Sequence, residues 1–212
     1  MAIRPAVELN STVRLLCSIW EKEIRTDYEA GLIPNEGSLQ AALYHHIRRK
    51  GLHGVEVFAV VKTFLNGKGI PDLIVAKDLH VEAVMELKVQ KGTGGIVYES
   101  DVDKLMGWSG KVTKKSEQKD WLRINPYSMH FEPYCKSSER AEYTLNDRTA
   151  WIFAAIGKNY CDGLDRRVLG ERISMRLRNS VVRRAFKRSF LHFTGIVYKD
   201  PKRIEFVAGP RS

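Results

Sequence analysis

The sequence predicts an α/β fold, and three observations support this class. Apolar residues recur at helical spacing between residues 6 and 30. Runs rich in β-branched and aromatic residues follow at 55–65, 70–76 and 81–89, with a strong Asn-Gly hairpin signal between the first two. The nearly continuous apolar run TAWIFAAIG at 149–157 is typical of a central strand that is covered on both faces. Helices and strands therefore alternate in a mixed layer arrangement.

Breaks and caps delimit the predicted helices. The N-terminal helix ends at GLIPNEGS, residues 31–38. Asn35 is a suitable N-cap for a second helix, which places Glu36 in the first turn and ends at Gly51. A third helix is expected from about Glu99 to Lys115, after the glycine-rich break that follows the third strand.

The remaining segments complete a single domain over residues 1–212. Its core is expected at about 35–157, interrupted by an insertion at about 116–148 that the pattern leaves unassigned. The C-terminal extension, about 158–212, reads as a basic amphipathic helix to residue 190 followed by a closing hairpin at 195–208.

The charge of the chain is unevenly distributed. Residues 1–150 contain 21 basic and 20 acidic residues, whereas residues 151–212 contain 14 and 5. A basic segment after a nearly neutral body favours a polyanionic partner, although basic helices are often simply solvated. No stretch reaches the length of a membrane span. The three cysteines, distant from one another, are expected to be reduced thiols in a cytoplasmic protein.

Charged residues lie inside the second and third predicted strands, where unpaired charge is costly. By strand alternation Glu86 and Lys88 share one face with Glu82 and Gln90, and the intervening residues form a wholly apolar face. Pairing of the two strands brings Asp72 towards Glu86. Two converging carboxylates repel each other unless a cation lies between them, and oxygen ligands suit Mg²⁺ or Mn²⁺.

Each of these charged residues, considered alone, also has an explanation that does not involve a metal site. Asp72 is also compatible with an acid at a turn or strand edge, and Glu86 with Lys88 as a solvated ion pair of little energetic value. Glu36 is favoured in a first helical turn by the helix dipole alone. The combination of the hairpin signal, the upstream helix glutamate and the apolar opposite face favours a site.

The arrangement of Glu36 on a helix, "PD" at Pro71–Asp72 and "ELK" at Glu86–Lys88 resembles the PD-(D/E)XK nuclease superfamily. The core of that family, the restriction-endonuclease-like fold, is a helix, a three-stranded meander, a helix and a strand, which is the order predicted for residues 35–157. The segment ESDVDKLMGW also resembles the family's helix after the active-site strand, where a D-x-x-K-L pattern is common.

The resemblance implies a Mg²⁺- or Mn²⁺-dependent nuclease, expected to be an endonuclease, that hydrolyses DNA phosphodiester bonds. Asp72 and Glu86 would be metal ligands, Lys88 the catalytic lysine and Glu36 an accessory acid, and Gln90 fits an E-x-K-x-Q variant. The arginine-rich helix next to such a site would bind nucleic acid. Its basic residues are Arg172, Arg176, Arg178, Arg183, Arg184, Lys187 and Arg188.

Two other classes of function stay open at this stage. One is a catalytically inactive nucleic-acid-binding protein on the same fold, and the other is an interaction subunit whose basic helix docks an acidic protein. A homodimer is also considered, with the N-terminal helix as the candidate interface.

Overall fold

The structure, a computed structural model, describes residues 10–51, 53–59, 70–90, 99–117, 122–124, 143–158, 189–198 and 203–208. Within these ranges the chain forms helices on a sheet of eight strands, so the predicted α/β class is confirmed. None of the described helices is both long enough and apolar enough to cross a bilayer.

The N-terminal helical segment contains three consecutive parts. Helix α1 spans Ser11–Ile19, a π-helical turn spans Trp20–Ile24 and α2 spans Arg25–Glu29. Asn10 caps α1, because its Oδ1 accepts a hydrogen bond from the Val13 amide at 2.7 Å. The apolar side of this segment packs on the chain's own sheet. The predicted helix at 6–30 is therefore confirmed between residues 11 and 29, with a local π distortion that periodicity does not reveal.

Helix α3 spans Glu36–Lys50 and begins where the sequence predicts. The Asn35 Oδ1 accepts a hydrogen bond from the Ser38 amide at 3.0 Å, which confirms Asn35 as the N-cap. Leu39 and Leu43 are fully buried against the sheet, so the start of the helix is held at a fixed distance from the strands.

Three antiparallel strands follow α3. Strand β1 spans Val55–Ala59, β2 spans Leu73–Lys77 and β3 spans His80–Val89. The β1–β2 and β2–β3 pairs are both antiparallel, so these strands form the predicted meander. The Asn-Gly turn and the second half of the predicted first strand lie outside the described residues.

The rest of the sheet is built around one central strand, which pairs in parallel with a strand on each side. Helix α4 spans Glu99–Glu117, and the later strands are β4 (Leu122–Ile124), β5 (Tyr143–Leu145), β6 (Ala150–Lys158), β7 (Phe190–Tyr198) and β8 (Arg203–Val207). The principal strand order is β1-β2-β3-β6-β7-β8, in which β3–β6 and β6–β7 are parallel and β7–β8 is antiparallel. Strand β5 pairs in parallel with the start of β3, and β4 pairs with β5. The predicted central strand is thus β6, flanked on both sides.

The sheet separates two hydrophobic clusters. One face of β3, formed by Ala83, Met85, Leu87 and Val89, packs against α1 and α3. The opposite face of the sheet packs against α4 through a second cluster that includes Val84. The apolar face predicted for the third strand is therefore confirmed, and Glu86 and Lys88 lie on the side of α4.

Glu82 does not share the face of Glu86, contrary to the prediction from alternation. The β2–β3 register shifts between Val75 and Ala76, which is a β-bulge. A bulge reverses the alternation, and the Glu82 carboxylate accepts a hydrogen bond from the Asn10 side chain at the start of α1. Glu82 is therefore part of the contact between β3 and the N-terminal helix.

The C-terminal predictions are only partly within the described residues. The basic helix predicted to residue 190 lies outside them up to residue 188, and Phe190 itself begins β7. The predicted closing hairpin is confirmed as β7 and β8, with β7 longer than expected because it pairs with β6 from Phe190 to Val197. Cys17 is a free thiol, whereas Cys135 and Cys161 lie outside the described residues.

Candidate active site

Asp72 occupies the residue before β2 and is fixed by the backbone of β3. Its amide donates a hydrogen bond to the Met85 carbonyl at 3.1 Å, and its Oδ2 accepts one from the Leu87 amide at 2.7 Å. These two bonds lie on either side of Glu86 in the sequence. Since the paired register continues from Leu73 opposite Met85, Asp72 stands opposite Glu86 across the two strands.

Glu86 is almost completely buried, with 2 % of its surface exposed. Its Oε2 accepts a hydrogen bond from the ammonium group of Lys104 on α4 at 2.7 Å. Its Oε1 is buried as well and has no hydrogen-bond partner among the described residues. The presence of Glu86 in β3 is therefore not explained by a solvated ion pair with Lys88, because Glu86 is shielded from water and paired with Lys104.

Lys88 connects the two helices that flank the sheet. Its Nζ lies 3.1 Å from Asp101 Oδ2 on α4 and 3.7 Å from Glu36 Oε1 in the first turn of α3. Asp101 is buried, whereas the Glu36 side chain is 42 % exposed. Lys88 thus stands at the end of β3 where both helices approach the strand, and Asp101 is its closer partner.

Helix α4 contributes two residues that sequence reasoning did not place in the site. Asp101 and Lys104 are one turn apart, and the Lys104 Nζ lies 3.0 Å from Asp101 Oδ1 as well as contacting Glu86. The signal that could have identified them is the D-x-x-K-L pattern. It puts both polar residues beside the buried Leu105 on the side of the helix that faces the sheet.

Five charged groups consequently form a continuous series of ion pairs. The order is Glu36, Lys88, Asp101, Lys104 and Glu86, with acidic and basic groups alternating. Asp72 joins this series electrostatically because its carboxylate interacts with Lys104 and with the neighbouring acids. The site therefore contains four carboxyl groups and two ammonium groups, drawn from α3, the residue before β2, β3 and α4.

Two glutamine side chains fix the backbone around these groups. Gln40, one turn after Glu36, donates a hydrogen bond from Nε2 to the Asp72 carbonyl at 2.6 Å. The Gln90 side chain accepts a hydrogen bond at Oε1 from the Lys158 backbone amide at 2.7 Å. The Gln90 backbone amide donates to the Ile156 carbonyl. Gln90 therefore ties the end of β3 to β6, whereas Gln40 holds the strand entry that carries Asp72.

The surroundings shift the protonation of the two facing acids in the same direction. Burial, together with the smaller effect of the Asp72 charge, raises the pKa of Glu86 to about 8 against the lowering effect of the Lys104 ammonium. Burial also raises the pKa of Asp72, against the lowering effect of the hydrogen bond from the Leu87 amide. Both acids are thus less easily ionised in this site than in water.

Both lysines of the site keep their charge more readily than they would in water, because nearby carboxylates raise the pKa of each. Burial on its own would lower the pKa of Lys88, but the Asp101 hydrogen bond and the nearby carboxylates outweigh it and raise that pKa. The same balance, with Glu86 and Asp101 as the partners, raises the pKa of Lys104. Both lysines therefore remain ammonium groups at neutral pH.

The donor set can be compared with what a hard divalent cation requires. Within the described ranges no group of three or more His, Cys, Asp or Glu side chains is arranged to hold a metal ion. Asp72 and Glu86 form a pair of oxygen donors, and Glu86 Oε1 is a buried oxygen that nothing described satisfies. Because Mg²⁺ keeps several waters and needs only one or two protein carboxylates, this pair fits that ion.

The structure brings together Asp72, Glu86, Lys88 and Glu36, and places Gln90 at the end of the same strand. The seven basic residues predicted to bind nucleic acid lie outside the described residues. Comparison of the chain with known proteins finds no matching family model, no matching curated protein and no matching solved structure.

Proposed function

We propose that this protein is a Mg²⁺-dependent nuclease that hydrolyses DNA phosphodiester bonds, with Asp72 and Glu86 as metal ligands. The observation that carries the proposal is the pairing of these acids across β2 and β3, with one buried Glu86 oxygen left unsatisfied. The order α3, β1-β2-β3, α4 and β6 also agrees with the helix, meander, helix and strand that the PD-(D/E)XK resemblance implies.

The charge balance of the site supports a divalent partner. Four carboxyl groups face two ammonium groups, so full ionisation leaves two uncompensated negative charges in a site whose Glu86 and Asp101 carboxyl groups are buried. Uncompensated buried charge is costly, and a group in that position usually becomes protonated instead. The raised pKa of Glu86 is the expected consequence, and a bound divalent cation would supply the missing charge.

The chain's own groups suit hydrolysis of a phosphodiester. A bound Mg²⁺ would lower the pKa of a coordinated water and polarise a phosphoryl oxygen. Lys88 is held as an ammonium group beside the acids, which suits stabilisation of the negative charge that develops on phosphate. The same protonation disfavours a role for Lys88 as the base that takes a proton from water. Glu36 acts through Lys88, whose position it helps to fix.

The decisive experiment compares cleavage of labelled DNA by the wild type, Asp72→Asn and Lys88→Met in Mg²⁺, Mn²⁺ or EDTA. We expect cleavage by the wild type only with metal, and a loss of about 100-fold or more in Lys88→Met, the scale seen when one charge-stabilising donor is removed. Asp103→Asn, an exposed acid on the same helix as Asp101, is the control and should cleave normally. Unchanged cleavage by Asp72→Asn would remove the assignment.

The second candidate is a nucleic-acid-binding protein without catalysis, which the excess of basic residues in 151–212 favours. Such a protein binds DNA equally well with Mg²⁺ or EDTA and yields no product with either. Including RNA and single-stranded DNA in the same panel of substrates also identifies the preferred nucleic acid.

A further inference from the structure

Lys104 has contacts that its position on a surface helix does not require. An exposed lysine on a helix normally keeps its ammonium group in water. The Lys104 side chain is instead 29 % exposed, and its Nζ contacts a Glu86 oxygen at 2.7 Å and an Asp101 oxygen at 3.0 Å. Both acids are buried, so this ammonium group replaces much of the water that each acid has lost.

The two oxygens of Glu86 are consequently different. Oε2 is held by Lys104, whereas Oε1 is buried without a hydrogen-bond partner among the described residues. A carboxylate held at one oxygen cannot rotate freely, so its other oxygen has a fixed direction. Groups that orient a metal ligand in this way commonly change metal affinity by 10- to 100-fold when they are removed.

Lys104 also influences Lys88 indirectly. Asp101 lies between the two lysines, with Oδ1 on Lys104 and Oδ2 on Lys88. One helical turn of α4 therefore orients both the acid and the amine that β3 contributes to the site.

We propose that Lys104 is a positioning residue that holds one oxygen of Glu86 so that the other faces a divalent cation. Through Asp101 it also fixes the place of the Lys88 ammonium group. This inference rests on the proposed metal site, but it assigns a role to a residue that acts through its contacts with Glu86 and Asp101.

The test measures binding of Ca²⁺ and of Mg²⁺ alone to the full chain by calorimetry, without nucleic acid. We expect Lys104→Met to bind each ion about 10- to 100-fold more weakly than the wild type. Lys104→Arg, which can still donate to a carboxylate, should recover most of the affinity. The control is Lys111→Met, which removes the same charge from an exposed position two turns further along α4. Its affinity should stay within about twofold, since exposed charges at that distance are largely screened.

Each result decides one question. Wild-type metal affinity in Lys104→Met would overturn the positioning role. If circular dichroism shows that Lys104→Met does not fold, Lys104→Gln replaces it, and the same result would overturn the role. Affinity reduced equally in Lys104→Met and Lys104→Arg would also overturn it. A wild type that binds neither ion would overturn both this inference and the metal-dependent function. A wild type that binds the ions but cleaves nothing would overturn the nuclease function only.

Discussion

The Glu86 carboxyl group couples protonation to folding, because it is removed from water in the folded state only. Its pKa is about 8 in the folded protein, compared with the ordinary value of 4.5 for a glutamate in water. Between these values the folded protein keeps a proton that the unfolded chain releases, so the free energy of unfolding falls as pH rises. Asp72 adds to the same trend, since its pKa is raised as well.

We therefore expect the wild type, in EDTA, to lose stability between about pH 5 and pH 8, and Glu86→Gln to lose much less. The amide keeps the shape of the side chain and cannot ionise. Urea denaturation at several pH values measures the difference. Asp103→Asn, an exposed acid on α4, should follow the wild type. Parallel pH dependence in the wild type and Glu86→Gln would show that Glu86 ionises normally.

At the scale of elements, the contact between β7 and β8 depends on a glycine. A Cβ atom on Gly195 would lie 2.7 Å from Phe206 Cζ and 3.1 Å from an Ile156 side-chain carbon. Phe206 is itself packed against Trp20, with ring centroids 5.4 Å apart, so it has little room to move. The glycine thus allows the π-helical turn, β7 and β8 to share one packed cluster.

Gly195→Ala should destabilise the protein by about 1–3 kcal/mol, the usual cost of overpacking a filled core. The matched control is Gly107→Ala on α4, where an added Cβ meets nothing within 4 Å. That change should stabilise by about 0.5–1 kcal/mol, because alanine favours the helix. Chemical denaturation of both variants measures the two effects. A neutral Gly195→Ala would mean that the Phe206 ring moves aside at no cost.

Element prediction succeeded where the local pattern is strong and failed where neighbours decide. Caps and periodicity identified α3, and alternation identified the apolar face of β3, because each depends on residues adjacent in sequence. The bulge in β3 was not predictable, and it turned Glu82 towards α1. Nothing in the local sequence distinguishes an ordinary strand from one in which a partner strand imposes an extra residue.

At the scale of the whole molecule, the net charge of +10 predicts salt-dependent binding of polyanions. We expect the affinity for DNA in EDTA to fall steeply with salt. The logarithmic slope should be at least about 2, since each phosphate contact contributes about 0.9. Fluorescence anisotropy between 50 and 200 mM salt measures this slope.

A competition assay distinguishes DNA binding from the alternative hypothesis, in which the basic segment docks an acidic protein. Duplex DNA should displace the labelled DNA, whereas polyglutamate at the same charge concentration should displace it poorly. Preferential displacement by polyglutamate would favour the acidic-protein partner. A homodimer stays a prediction, although the apolar side of α1 is already used by the chain's own sheet.

The sequence by itself determined the class of fold, the caps, the apolar face of β3 and the candidate set of Asp72, Glu86, Lys88 and Glu36. Those features follow from spacing along one chain segment or from a short motif. Only the tertiary structure decided which charges meet, because Lys104 and Asp101 approach Glu86 and Lys88 through the packing of α4 on the sheet. Distances between side chains on different elements depend on how those elements pack, and residue spacing along the chain carries no such information.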